Sequence, residues 1–188
     1  MNNLIGIFTS FGLSTSAGLN AYLPMLIVAL VAKFTTLVRL NEPFDVLTNW
    51  WVIAAISILL LIEIFADKVP AVDSINDLIQ TFIRPVAGAV LFAANANTIA
   101  DIHPVLAMVC GLLLAGTVHV VKSTARPVVT ATTAGVGNPV ISTIEDVISA
   151  LTAFLAILLP ALLALVLLVA AIIIGWWLWA RHQRQTAL

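Results

Sequence analysis

The residues best equipped for chemistry fall in two clusters, Glu63, Asp67, Lys68, Asp73, Asp77 and Arg84, then His119, Lys122, Arg126, Asn138, Glu145 and Asp146. Asp73, Asp77, Gln80 and Arg84 recur at intervals of three and four, which places them on one face of a helix. Val72, Ile75, Leu78, Ile79 and Phe82 fall on the other face, so the segment reads as an amphipathic connector that lies on a membrane interface or folds back into a bundle. Glu63 ends an otherwise apolar run, where a carboxylate needs a cation or water; the candidate partners are Lys68, Arg84, Lys122 and Arg126. The plainer reading of Glu63 and Lys68 is snorkelling at a membrane edge. His119 and Lys122 stand one turn apart, a pairing suited to moving a proton or holding an anionic head group, and also an ordinary interface pair. Ser142 precedes Glu145 and Asp146 by three and four residues, a capping-box spacing that predicts helix capping for at least one of them.

Two segments have the composition of broken helices. In Ser10 to Pro24, glycine, serine, threonine and Asn20 crowd the middle of a long apolar stretch; in Thr130 to Asp146, Gly135-Val-Gly-Asn138-Pro139 precedes the last apolar run. Thr15-Ser-Ala-Gly-Leu-Asn echoes Thr132-Thr-Ala-Gly-Val-Gly, and Ile83-Arg-Pro-Val echoes Ala125-Arg-Pro-Val. Weak repeats around Gly/Pro-interrupted helices point to a transporter-like site. Non-helical backbone at membrane depth must face protein or a watery cavity, and a free helix start suits an anion. The competing reading is close helix packing by small residues, as at Gly12, Ser16 and Asn20.

The elements that must position these residues are membrane helices. Hydrophobic residues make up 62% of the chain and charged residues 9%, with a mean hydropathy of +1.13. A soluble domain carries about 25% charged residues, so lipid is the expected solvent. Eight Lys/Arg against nine Asp/Glu leave a net charge of −1, with no basic stripe for nucleic acid. Cys110, the single cysteine, reads as packing. The N-terminus lacks the features of a cleaved secretory signal.

The apolar stretches are Leu4 to Ala32, Trp50 to Ala66, Pro85 to Ala100, Pro104 to Val121 and Val147 to Ala180. The last holds 34 residues, about 51 Å of helix at ~1.5 Å per residue, and Pro160 divides it. The expected fold is therefore an all-α, single-domain transmembrane bundle over residues 1–188, with six spans or five and with broken or re-entrant helices. Six spans place Lys68, Arg84, Lys122, Arg126, Arg181 and Arg184 on the side of the N-terminus, leaving Lys33 and Arg39 opposite. That orientation predicts an inner-membrane protein with both termini cytoplasmic. Trp50, Trp51, Trp176, Trp177 and Trp179 read as interfacial anchors.

At Ser16-Ala-Gly-Leu-Asn-Ala-Tyr-Leu-Pro, Glu63-Ile-Phe-Ala-Asp-Lys-Val-Pro-Ala-Val-Asp-Ser and Ile83-Arg-Pro-Val-Ala-Gly, the chain resembles an uncharacterised bacterial membrane-protein family, catalogued as a domain of unknown function. Lys122, Arg126, Gly137-Asn138-Pro139, Ser142 and Glu145-Asp146 look like its later motifs, so the resemblance covers nearly the whole chain. It implies that the motif positions are the charged and broken segments, and it implies no activity.

Three functions compete. The first is a transporter or channel for a small anion or a phosphate-bearing lipid head group, with Asn20, Glu63, Asp67, Lys68, Asp73, Arg84, His119, Lys122, Arg126, Asn138 and Glu145 as the binding residues. The second is a membrane scaffold whose polar residues satisfy one another. The third is a lipid-modifying enzyme using Asp67, Asp73, Asp77 and His119, although no Gly-x-Ser-x-Gly, His-Glu-x-x-His or phosphate-loop motif is present. No catalytic or metal-binding residue is assigned, and the sequence names no cofactor. The expected partners are membrane lipid and a second copy of the chain.

Overall fold

The computed structural model describes residues 2–40, 42–67, 70–96 and 102–186. Seven α-helices account for most of them: α1 (Asn2–Leu19), α2 (Tyr22–Phe34), α3 (Trp50–Ala66), α4 (Pro70–Ala96), α5 (Pro104–Thr133), α6 (Asn138–Leu158) and α7 (Pro160–Thr186). A short 3-10 turn, Phe44–Thr48, precedes α3. There is no strand among the described residues. Ile75–Asn95, Pro104–Thr133 and Asn138–Leu158 are each long and apolar enough to cross a membrane, and Ile5–Leu19, Tyr22–Phe34 and Trp50–Ala66 are shorter apolar helices. The chain is a membrane-embedded helical protein.

The first apolar stretch differs from the single crossing expected of it. The chain breaks at Asn20, whose side-chain Oδ1 accepts from the N–H groups of Tyr22 and Leu23 at 3.1 and 2.9 Å and so starts a new helix. Pro24 sits among the first α2 residues, where its missing N–H costs nothing. α2 then returns beside α1: Leu37, Val38 and Arg39 line one cavity with Ile5, Gly6 and Thr9. The N-terminal end of α1 therefore shares an end of the bundle with Lys33 and Arg39, and the turn lies at the opposite end with Lys122. The arrangement that put the N-terminus with Arg84, Lys122 and Arg126 is corrected accordingly.

The expected connectors also differ, because they are helical extensions. α4 runs through Pro85 and α5 through Pro127, so each Arg-Pro pair sits inside a helix. The expected break at Pro160 is present, with α6 ending at Leu158 and α7 starting two residues later. The turn from α5 to α6 uses positive φ at Ala134 and Gly135, and the second of these is the conformation that glycine adopts without strain.

Small residues set the packing near the N-terminal end. A Cβ on Gly111 would collide with the Gly88 carbonyl, and one on Gly12 would meet Ala156 and Leu163. Hydroxyls add specific links: Ser14 donates to the Gly88 carbonyl at 2.9 Å, Thr9 to the Ala156 carbonyl at 2.9 Å, and Ser16 to that of Ser149 at 2.8 Å. α1 thus runs antiparallel to both α4 and α6. Large apolar residues meanwhile face outward, including Val72, Ile75, Leu78, Ile79 and Phe82 on α4, as suits a lipid-facing surface. Trp50, Trp51, Trp176, Trp177 and Trp179 are exposed, with Lys33 Nζ 4.4 Å from the centre of the Trp50 ring.

Candidate functional site: a buried charge network

One face of α5 buries Ala107, Gly111 and Ala115, then His119, Lys122 and Arg126. The near four-residue spacing makes a single stripe, small in its first half and charged in its second. The first half lets α4 approach closely. The second half meets the polar face of α4, the end of α3 and the start of α6.

Arg84 is fully buried in α4. Its Nη2 donates to Glu63 Oε1 at 3.0 Å, and its Nη1 faces His119 Nδ1 at 3.0 Å and Asp77 Oδ1 at 3.8 Å. Of the four partners proposed for Glu63, Arg84 makes the direct ion pair. Among the described side chains, Arg126 gathers three carboxylates, with Asp77 Oδ2 at 3.1 Å, Glu145 Oε2 at 3.3 Å and Asp67 Oδ2 at 3.4 Å. Lys122 pairs with Glu145 at 2.8 Å. Asp67 also accepts from Ser142 at 3.0 Å and from Asn76 at 2.7 Å. Alternating charge therefore links α3, α4, α5 and α6 in one cluster.

The cluster also serves the broken helix. Lys122 Nζ donates to the Leu19 carbonyl, left without a helical partner at the break, at 2.9 Å. Asn20 Nδ2 donates to Asp146 Oδ1 at 2.8 Å while its oxygen caps α2. Both sides of the interruption thus find partners inside the protein, as backbone at membrane depth requires. Asn138, at the start of α6, donates through Nδ2 to Thr130 Oγ1 at 3.0 Å, and the Thr130 hydroxyl in turn donates to the Arg126 carbonyl at 3.0 Å.

Asn20, Glu63, Asp67, Arg84, His119, Lys122, Arg126 and Glu145 therefore come together, with Asn138 one contact away. Lys68 lies outside the described residues; Asp73 lies on α4, and its side chain is outside them too. The capping-box reading is corrected. α6 already begins at Asn138 with proline in its first turn, so Ser142 sits inside the helix and its hydroxyl reaches Asp67. Glu145 binds the two cations and Asp146 binds Asn20. The binding residues expected from the sequence do not include Asp77, which approaches both arginines; its place in the Asp73, Asp77, Gln80, Arg84 series is the available signal. Nothing in the residue pattern signals the Leu19 carbonyl.

Among the described residues, five carboxylates (Glu63, Asp67, Asp77, Glu145 and Asp146) face three cations (Arg84, Lys122 and Arg126). Burial makes each contact electrostatically strong and makes any unpartnered group costly. Glu63 Oε2, Asp77 Oδ1, Gln80 Oε1 and Arg84 Nε are buried with no hydrogen-bond partner among the described residues. Among the described residues, no group of three or more His, Cys, Asp or Glu is placed to hold a metal ion. Cavities lie away from the network: one, about 220 Å³, is at the N-terminal end beside Thr9, Arg39 and Asn95, another, about 310 Å³, is an apolar groove between α2 and α4 lined by Tyr22, Met25 and Phe82, and a third, about 360 Å³, is an open hollow lined by Pro139, Val140, Thr143 and Ile144.

The model of the family described as Domain of unknown function (DUF4126) matches residues 7–181, which includes every charge of the network. The chain belongs to this family. No curated protein and no solved structure matches it. The DUF4126 match thus runs from within α1 to within α7 while assigning none of their residues a role.

Proposed function

We propose that this DUF4126 protein is a membrane transporter or channel-like protein in which the charge network forms a closed gate. The observation that carries the reading is that buried cations from α4 and α5 reach carboxylates on three helices and also hold the α1–α2 break. Ionisable groups at membrane depth are functional candidates by default, and charge relays are common in transport proteins. The substrate class we favour is a small anion or a phosphate-bearing lipid head group. Lys122 and Arg126 suit either, provided that it displaces Glu145, which now occupies both. We place the network end toward the cytoplasm of an inner membrane, because Lys122 and Arg126 lie there, and we take a second copy of the chain as a partner.

The test is flux through wild-type protein in liposomes, with chloride, inorganic phosphate and a fluorescent phospholipid as separate substrates. At least one is expected to cross, and Glu145→Gln, which loosens the hold on Lys122 and Arg126, is expected to raise that rate. Folded wild-type protein that moves none of the three would remove the reading. A scaffold role is the second reading, favoured by the pairing of Arg84, Lys122 and Arg126 with the chain's own carboxylates.

A further inference from the structure

His119 is held by partners that leave one arrangement of its protons. Arg84 Nη1 can only donate, so His119 Nδ1, 3.0 Å away, must offer its lone pair. The other ring nitrogen, Nε2, lies 3.0 Å from Thr81 Oγ1. That hydroxyl donates its own hydrogen to the Asp77 carbonyl at 2.9 Å, so it accepts from Nε2–H. The imidazole is therefore neutral, with its proton on Nε2. A second proton would arrive on Nδ1, where it would confront the Arg84 donor.

The guanidinium has a place to go. Asp77 Oδ1 is buried, has no hydrogen-bond partner among the described residues, and lies 3.8 Å from the same Arg84 Nη1. A movement of about 1 Å would complete that bond at ordinary hydrogen-bond length, and Arg84 Nη2 can remain on Glu63 while it happens. We propose that His119 is a proton-binding site, and that loading it shifts Arg84 from His119 Nδ1 onto Asp77 Oδ1.

The proton comes from water and is returned to it, the Nδ1 lone pair forms the new N–H bond, and the cluster gains one positive charge. His119 is faced or influenced by Arg84 and Asp77 from α4 and by Lys122 and Arg126 on its own helix. Glu63 and Asp67 from the α3 end and Glu145 from α6 lie behind those cations. Asp77 also holds Arg126, so a second guanidinium arriving on Asp77 weakens its grip on the centre of the network. Applied to the transport reading, this makes the proton the coupled ion, and that last step alone rests on that reading.

The test is nitrogen NMR of the full chain, labelled at histidine, in lipid nanodiscs from about pH 8 to about pH 3, a range that reaches well below the ordinary histidine pKa near 6.5. His119→Gln identifies the resonance, and His103→Gln, a change at the α5 cap, leaves it in place. The expected spectrum is the neutral Nε2–H form at the upper pH and imidazolium after acidification. Asp77→Asn removes the landing carboxylate and is expected to move the midpoint down by about one unit or more. A wild-type His119 that carries its neutral proton on Nδ1, or that stays neutral throughout, overturns the proposal, and neither result depends on a variant folding. Flux is scored separately: titration without flux supports the site while removing transport, and flux with an inert His119 removes the site while leaving transport in place.

Discussion

The two halves of the α4–α5 pair solve the same packing problem by opposite means. Toward the N-terminal end, Gly88, Gly111 and Ala115 bring the backbones so close that a single added Cβ collides. Toward the other end, the same faces carry Asp77, Gln80, Arg84, His119, Lys122 and Arg126. In lipid the hydrophobic effect does not press helices together, so shape and hydrogen bonds must. The small-residue half needs little more than shape. The charged half needs every partner present, because removing one leaves a buried ion alone.

The sharpest way to break this contrast is to remove one partner. Arg84→Met is expected to destabilise the protein by about 3–5 kcal/mol, since Glu63 is then buried without its cation. Thermal or denaturant unfolding in detergent reads the loss, and adding Glu63→Leu to the same chain is expected to recover most of it. In the other half, Gly111→Val drives a side chain into the Gly88 carbonyl and Phe92, with an expected cost of about 1–3 kcal/mol. No second substitution at a charged position is expected to rescue it. Ser16→Ala, which breaks only the hydroxyl link to Ser149, is expected to cost ~0.6 kcal/mol. The smallest effect concerns salt. Because the ion pairs are shielded from water, raising it from about 0.1 M to about 1 M is expected to leave the unfolding midpoint of the wild type nearly unchanged.

Much of the fold was legible because helices announce themselves through apolar periodicity, proline and glycine. The break at Asn20, the one before Pro139 and the one at Pro160 were all readable from such signals. Direction after a break was not. Asn20 allows either a kink or a reversal, and the reversal depends on Lys122 and Asp146, which lie more than a hundred residues away in sequence. The site was legible in membership and illegible in pairing. A carboxylate at the end of an apolar run predicts a cation, and Glu63 does find Arg84. The choice of Glu145 for Lys122 follows from how α5 and α6 pack, which no local spacing encodes. Ser142 misled because a capping box and one helix face share the same three- and four-residue interval.

The transport proposal requires the network to be kept for transport and not for stability alone. The direct test is to reconstitute the Glu63→Leu, Arg84→Met double variant beside the wild type and measure unfolding and flux of the same preparations. The expected result is a variant that unfolds close to the wild type and carries none of the wild-type flux. Equal flux in the two proteins, or no flux from folded wild type, would contradict the claim.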